Sequence, residues 1–236
     1  MFGAWQAGAW KAIEPFFQPD MIVGASVGSL NGYALGCRWT GEELCGLWRR
    51  PQPRGIGHLP DLVEQLVRER PLTKDFAVVL TDVLRMKPRT FPAAEVTEQH
   101  LVASCAILGL IPPQKIGGRW YADGGLLNPL PVWAAVERGA TRIVALHCLP
   151  EIPSVWIEPF VKAFRGVFGY RPKLPDGIEV TIVKPSRKLG GLSDALHWNR
   201  ENVDRWIAQG MEDAASAVAG AEGVRLNISA RDCFER

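Results

Sequence analysis

The sequence has 236 residues, of which 47% are hydrophobic and 22% charged, with a net charge of +2. That length suits one α/β domain, and a near-neutral balance without a basic run gives no footing for an extended nucleic-acid interface. The longest apolar stretches, such as Leu101 to Pro113, are too short and too broken to cross a bilayer, so no transmembrane helix is expected.

At the amino terminus, Ala4 to Phe17 carries apolar residues at Trp5, Ala9, Ile13, Phe16 and Phe17, a helical spacing that ends before Pro19. Lys11 is the one cation of this stretch, which therefore lacks the pattern of a secretory signal. Met21-Ile22-Val23 then reads as a strand running into Gly24-Ala25-Ser26-Val27-Gly28, and small residues continue as a helix to about Cys37. A strand, a tight turn with a central serine and a helix form the layout of a nucleophile elbow, with Ser26 as the candidate nucleophile. The helix that begins after Ser26 aims free N–H groups and its positive dipole end at the place where an oxyanion would form.

Thr40-Gly41-Glu42-Glu43 has the form of a capping box and opens a helix to about Arg50, followed by a Pro/Gly loop to His58. Leu59 to Arg70 is an amphipathic helix, and Phe76 to Leu80 suits a buried strand closed by Thr81-Asp82. Val96 to Ala106 reads as helix, and Lys115 to Tyr121 as a strand pair around Gly117-Gly118. Beyond Asp123-Gly124-Gly125, a helix is expected at Leu130 to Arg138, a strand at Thr141 to Cys148 and a helix at Ile157 to Gly169. A strand at Ile178 to Val183 and a long helix from Asn199 to Ala219 complete the series. Alternation of this kind favours a mostly parallel sheet covered on both faces.

A serine hydroxyl needs a base. His58, His100 and His197 lie in a loop, an amphipathic helix and a polar stretch, and His147 alone ends a predicted strand. Asp123 offers a carboxylate instead, since the two glycines after it permit a tight turn and a close approach by another segment. By itself the turn leaves a structural, turn-capping aspartate equally open; paired with the elbow, the aspartate is the better candidate for the base.

The elbow from Gly24 to Gly28 and the Asp123-Gly124-Gly125 turn, with Ser104-Cys105-Ala106 and Pro112-Pro113 between them, resemble the patatin-like phospholipase family. The resemblance runs from Gly3 to about Leu146. It implies a three-layer α/β/α fold over the single domain 1–236, and a Ser26–Asp123 dyad that hydrolyses lipid esters through an acyl-enzyme without a cofactor. It also implies oxyanion donors from the backbone of Val27 and from a glycine-rich loop, of which Gly3 and Ala4 stand at the end. Most of that loop, and the strand before it, have no counterpart ahead of Gly3. Either the true start lies upstream of Met1 and restores them, or the chain lacks them and weakened oxyanion stabilisation is expected, where the loss of one donor typically costs ~10²–10³ in rate. Two alternatives stay open: an α/β-hydrolase esterase using Ser26, Asp123 and His147 or His197, and a degenerate homologue that binds lipid or protein.

Trp156, Phe160, Phe164 and Phe168 recur every four residues near Lys162, Arg165, Arg171 and Lys173, a pattern shared by interfacial helices, sheet-covering helices and covers over a site. Peripheral membrane contact is one expectation. Cysteines at 37, 45, 105, 148 and 233 show no metal spacing, and Asp82, Asp123 and Asp194 are too scattered for a calcium loop, so no metal is expected. The cysteine usage suits reduced thiols in the cytoplasm.

Overall fold

The computed structural model describes residues 1–51, 59–107, 110–149, 158–170, 172–191, 193–194 and 197–221. Most of the expected loop from Arg50 to His58, together with Trp156, Arg171 and Cys233, lies outside them. The helices are α1 (Gly3–Ile13), α2 (Val27–Gly36), α3 (Gly41–Arg49), α4 (Leu59–Glu69), α5 (Glu98–Ser104), α6 (Val132–Glu137), α7 (Glu158–Phe168) and α8 (Arg200–Ala221). The strands are β1 (Met21–Gly24), β2 (Asp75–Asp82), β3 (Lys87–Pro92), β4 (Gln114–Ile116), β5 (Arg119–Asp123), β6 (Arg142–Leu146) and β7 (Glu179–Val183).

Local chemistry accounts for several boundaries. The Glu43 N–H donates to Thr40 Oγ1 at 3.2 Å while Glu43 Oε2 accepts from the Thr40 N–H at 2.8 Å, which closes the capping box that starts α3. Such a cap is worth about 1 kcal/mol. β2 is buried from Phe76 to Asp82. Its alternate residues serve two cores: Phe76, Val78 and Leu80 pack with α1, α2, α3 and α8, whereas Val79 packs with Val132, Trp133, Ala145 and Val180. A strand apolar on both faces is the signature of a sheet sandwiched between helical layers.

The sheet is mixed rather than mostly parallel. β1 runs parallel to β2, and β6 parallel to β7, but β3 and β5 run antiparallel to β2, and β4 antiparallel to β5. The connections explain it. β2 reaches β3 through residues 83–86, and β4 reaches β5 through Gly117 and Gly118 at φ 54° and 78°. Turns this short join only antiparallel neighbours. β3 has no counterpart in the sequence reading, because Lys87, Pro88 and Arg89 mask its pairing with the buried β2.

The pairing along β2 decides where the site forms. β3 takes one edge over Ala77 to Asp82. β1 and β5 share the other edge end to end, β1 arriving parallel and stopping at Gly24 opposite Val78, and β5 arriving antiparallel and stopping at Asp123 opposite Leu80. Two carboxyl ends therefore converge on either side of Val79. The second edge of β1 carries no ladder partner among the described residues and faces β6 across a cavity of about 200 Å³, lined by Ile22, Gly24, Ala25, Val144 and Leu146.

Candidate active site

Ser26 occupies the turn between β1 and α2 with φ 52° and ψ −136°. A serine held at positive φ costs roughly 1–3 kcal/mol, and such strain persists only where the surroundings enforce it. Here they do. The Ser26 N–H donates to Ser104 Oγ at 2.9 Å, the Gly28 N–H to the Ala25 carbonyl at 2.9 Å, and the Ser29 N–H and hydroxyl both to the Ser26 carbonyl at 2.8 and 2.7 Å. A Cβ on Gly24 would stand 2.5 Å from the Gly28 carbonyl oxygen, so the helix closes onto the strand only because that side chain is missing. Gly28 is less constrained, its nearest neighbour to a built Cβ being Gln6 Nε2 at 3.7 Å.

Asp123 ends β5 and is 7% exposed. Its N–H donates to the Ala106 carbonyl at 3.0 Å and its carbonyl accepts from Thr81 Oγ1 at 2.9 Å, so both main-chain groups are anchored. Oδ1 accepts from the Gly125 N–H at 2.6 Å, and Oδ2 accepts from the Ser26 hydroxyl at 2.6 Å. Gly124 lies against β2, where a Cβ would meet the Val79 carbonyl oxygen at 2.1 Å. Burial pushes the Asp123 carboxyl up from 3.8 to about 6, opposed by the Ser26 and Gly125 hydrogen bonds and by the charge of Arg165.

Neither His147 nor His197 hydrogen-bonds to Ser26 or Asp123. Burial, Arg165 and Lys184 drive His147 down to about 4, and its Nε2 is buried with no hydrogen-bond partner among the described residues. His197 Nδ1 lies 3.0 Å from the Ser193 carbonyl on an exposed segment. The Ser26 and Asp123 oxygens touch directly, so no imidazole stands between them.

Of the three expected oxyanion residues, Val27 heads α2, where the first N–H has no carbonyl a turn behind it in the helix, while those of Gly28 and Ser29 are taken by the Ala25 and Ser26 carbonyls. Gly3 begins α1 against it: a Cβ there would fall 2.5 Å from Val27 Cγ2. The Ala4 N–H is committed to the Met1 carbonyl at 3.1 Å, which removes it from that set. Beneath the elbow lies a buried polar network that the sequence reading missed. Asn31 Nδ2 donates to Gln6 Oε1 and to the Gly3 carbonyl, both at 3.0 Å, and Trp48 Nε1 donates to Asn31 Oδ1 at 2.8 Å. Gln6 Nε2 donates onward to the Leu146 carbonyl at 3.0 Å. The signal available was a lone asparagine in the small-residue, apolar run of α2, five positions after Ser26. No three His, Cys, Asp or Glu side chains form a metal-sized cluster among the described residues.

The patatin-like phospholipase family model matches residues 1–53 and 59–136, the span that holds both Ser26 and Asp123. The chain belongs to this family. It is similar to uncharacterized NTE family proteins of Mycobacterium bovis and Mycobacterium tuberculosis, each 31% identical over 104 residues. That stretch is 39% of this chain and 29% of each of those proteins. Among solved structures it resembles VipD from Legionella pneumophila, with a TM-score of 0.54 and 12% identity, over 93% of this chain and 65% of VipD. The likeness establishes a shared α/β fold for this family member.

Proposed function

We propose that this family member is a lipid acyl hydrolase that cleaves carboxylic esters with Ser26 as nucleophile and Asp123 as base. The observation that carries the reading is the direct, part-buried hydrogen bond from the Ser26 hydroxyl to Asp123 Oδ2, 2.6 Å long, at the carboxyl ends of two strands. In the first half-reaction Asp123 takes the hydroxyl proton as Ser26 Oγ bonds to the ester carbonyl carbon. The carbon–alkoxy bond then breaks and the proton passes to the departing alcohol. In the second, Asp123 takes a proton from water, whose oxygen attacks the acyl carbon, and Ser26 leaves with its proton restored. A base titrating near 6 is ionised at neutral pH and still accepts a proton effectively.

The tetrahedral oxyanion is assigned to the N–H of Val27, reinforced by the dipole of α2, with Gly3 beside it. Phospholipids, lysophospholipids and related lipid esters are the substrate class that family membership favours. Peripheral membrane contact is assigned to α7, whose Val167 is 75% exposed and Phe168 45% exposed. No described helix is long and apolar enough to cross a membrane. The thiols of Cys37, Cys45, Cys105 and Cys148 are unpaired, which suits a reducing cytoplasm.

Release of p-nitrophenol from medium-chain esters tests the reading, together with labelling by a fluorophosphonate. Ser26→Ala and Asp123→Asn are expected to lower turnover by ~10³-fold or more, and Ser26→Ala to abolish labelling. Hydrolysis by both variants at the wild-type rate would overturn the assignment, and a wild type that binds lipid vesicles without turnover would leave a binding homologue in its place.

A further inference from the structure

The turn that follows Asp123 is held from outside by α7 and the residues after it. Arg165 Nη2 donates to the Gly125 carbonyl at 2.9 Å and Nε to the Leu126 carbonyl at 3.2 Å. Two residues past α7, the Tyr170 N–H donates to the Leu127 carbonyl at 3.3 Å, and the Tyr170 carbonyl accepts from Asn128 Nδ2 at 2.9 Å. The Tyr170 ring packs edge-on against Trp133 with centroids 4.9 Å apart. Three successive carbonyls of the turn, from Gly125 to Leu127, thus accept donors from one short segment. Gly125 is the pivot, since its N–H holds Asp123 Oδ1 at 2.6 Å while its carbonyl is held by Arg165.

We propose that Arg165 is a positioning residue for the Ser26–Asp123 pair, clamping the turn that carries the carboxylate and lending it a positive charge from α7. The inference rests on the hydrolase reading above. A guanidinium suits the task because its planar fork reaches two neighbouring carbonyls at once, which an ammonium does not. Its charge opposes the burial that raises Asp123.

Among the described residues, the other groups that act on the carboxylate are neutral at neutral pH. Ser26 donates from the elbow. Burial pushes the thiol of Cys148, beyond β6, up to about 12, and that of Cys105, at the end of α5, higher still. The amino group of Met1 beside these thiols is lowered to about 6 by burial. Burial and the charge of Arg165 hold His147, after β6, neutral, with Lys184 beyond β7 acting on it in the same direction as Arg165.

The test is the pH profile of kcat/KM between pH 4.5 and 8 on a soluble chromogenic ester, for wild type, Arg165→Gln and Arg165→Lys, with folding checked by circular dichroism. The wild-type acidic limb is expected near pH 6. Arg165→Gln, which keeps a donor without the charge, is expected to move the limb upward by about one unit and to lower kcat by ~10-fold. Arg165→Lys is expected to return the limb to the wild-type position while kcat stays reduced, because one ammonium does not bridge both carbonyls. A limb that stays in place in Arg165→Gln, or shifts equally in both variants, would overturn the proposal. If Ser26→Ala and Asp123→Asn hydrolyse normally, the hydrolase reading has failed. If those two are inactive while Arg165→Gln keeps both limb and kcat, only the role of Arg165 has failed.

Discussion

The floor of the site and its rim are built by different means. On the floor, Ser26 and Asp123 sit at or just past the ends of strands locked to β2 by ladder hydrogen bonds, with small residues pressed against the backbone and the Ser26 N–H and Asp123 carbonyl held by side chains. On the rim, α7 carries exposed Val167 and Phe168 and reaches the turn after Asp123 through side-chain donors such as Arg165. A floor made of backbone contacts fixes geometry and tolerates almost no added atom. A rim made of side-chain contacts yields gradually.

Breaking the floor is expected to have the largest effect. Gly124→Ala would place a Cβ 2.1 Å from the Val79 carbonyl oxygen, where only main chain could yield. A loss of about 3 kcal/mol or more is expected in urea unfolding, together with loss of turnover. If the variant unfolds at the wild-type urea midpoint, the close packing of turn against strand is not as described.

Asp123→Asn separates stability from chemistry. The folded carboxyl titrates near 6 against 3.8 when exposed, so the folded state binds more protons between those values. Stability therefore falls as pH rises from about 4 to about 6, and the cost, at most about 3 kcal/mol, is complete at neutral pH. The neutral amide is expected to be more stable than wild type at pH 7 and equal to it near pH 3.5, while remaining inactive. Equal melting temperatures at both pH values would show that the buried carboxylate carries no such cost.

A smaller effect is expected at Ser104, which accepts from the Ser26 N–H. Ser104→Ala should cost about 1–2 kcal/mol and reduce kcat more than it raises KM, because the elbow loses a strut without losing any contact to substrate. The smallest effect on stability belongs to the rim: Val167→Ser and Phe168→Ser should change it by under ~0.5 kcal/mol. Sedimentation with lipid vesicles is where those two should show a loss. Unchanged vesicle binding would remove α7 from membrane contact.

The elbow was legible because its evidence is local: a strand, small residues and a helix start adjoin in sequence, and a glycine beside a serine leaves few other uses. Asp123 was legible as a turn residue and gained its role from its pairing with the elbow and from the family resemblance, since nothing in Asp123-Gly124-Gly125 by itself separates a base from a turn cap. The helices came through to within a few residues wherever caps or prolines punctuate them, as Thr40 does for α3. β3 was not legible, because its charged and proline residues suit an edge whose strand character comes from the partner it pairs with. Arg165 read as one cation on an amphipathic helix, indistinguishable from a solvated one until Gly125 and Leu126 are placed beneath it.

The sequence by itself determined the order of strands and helices apart from β3, the tight turn at Ser26 and the tight turn after Asp123, because each follows from neighbours within a few residues. Only the tertiary structure decided that β1 and β5 meet head to head along one edge of β2, in opposite directions. That arrangement is a matter of which edges pair, a choice made between segments about a hundred positions apart. Through it, a serine and an aspartate from two separate motifs are joined by one hydrogen bond.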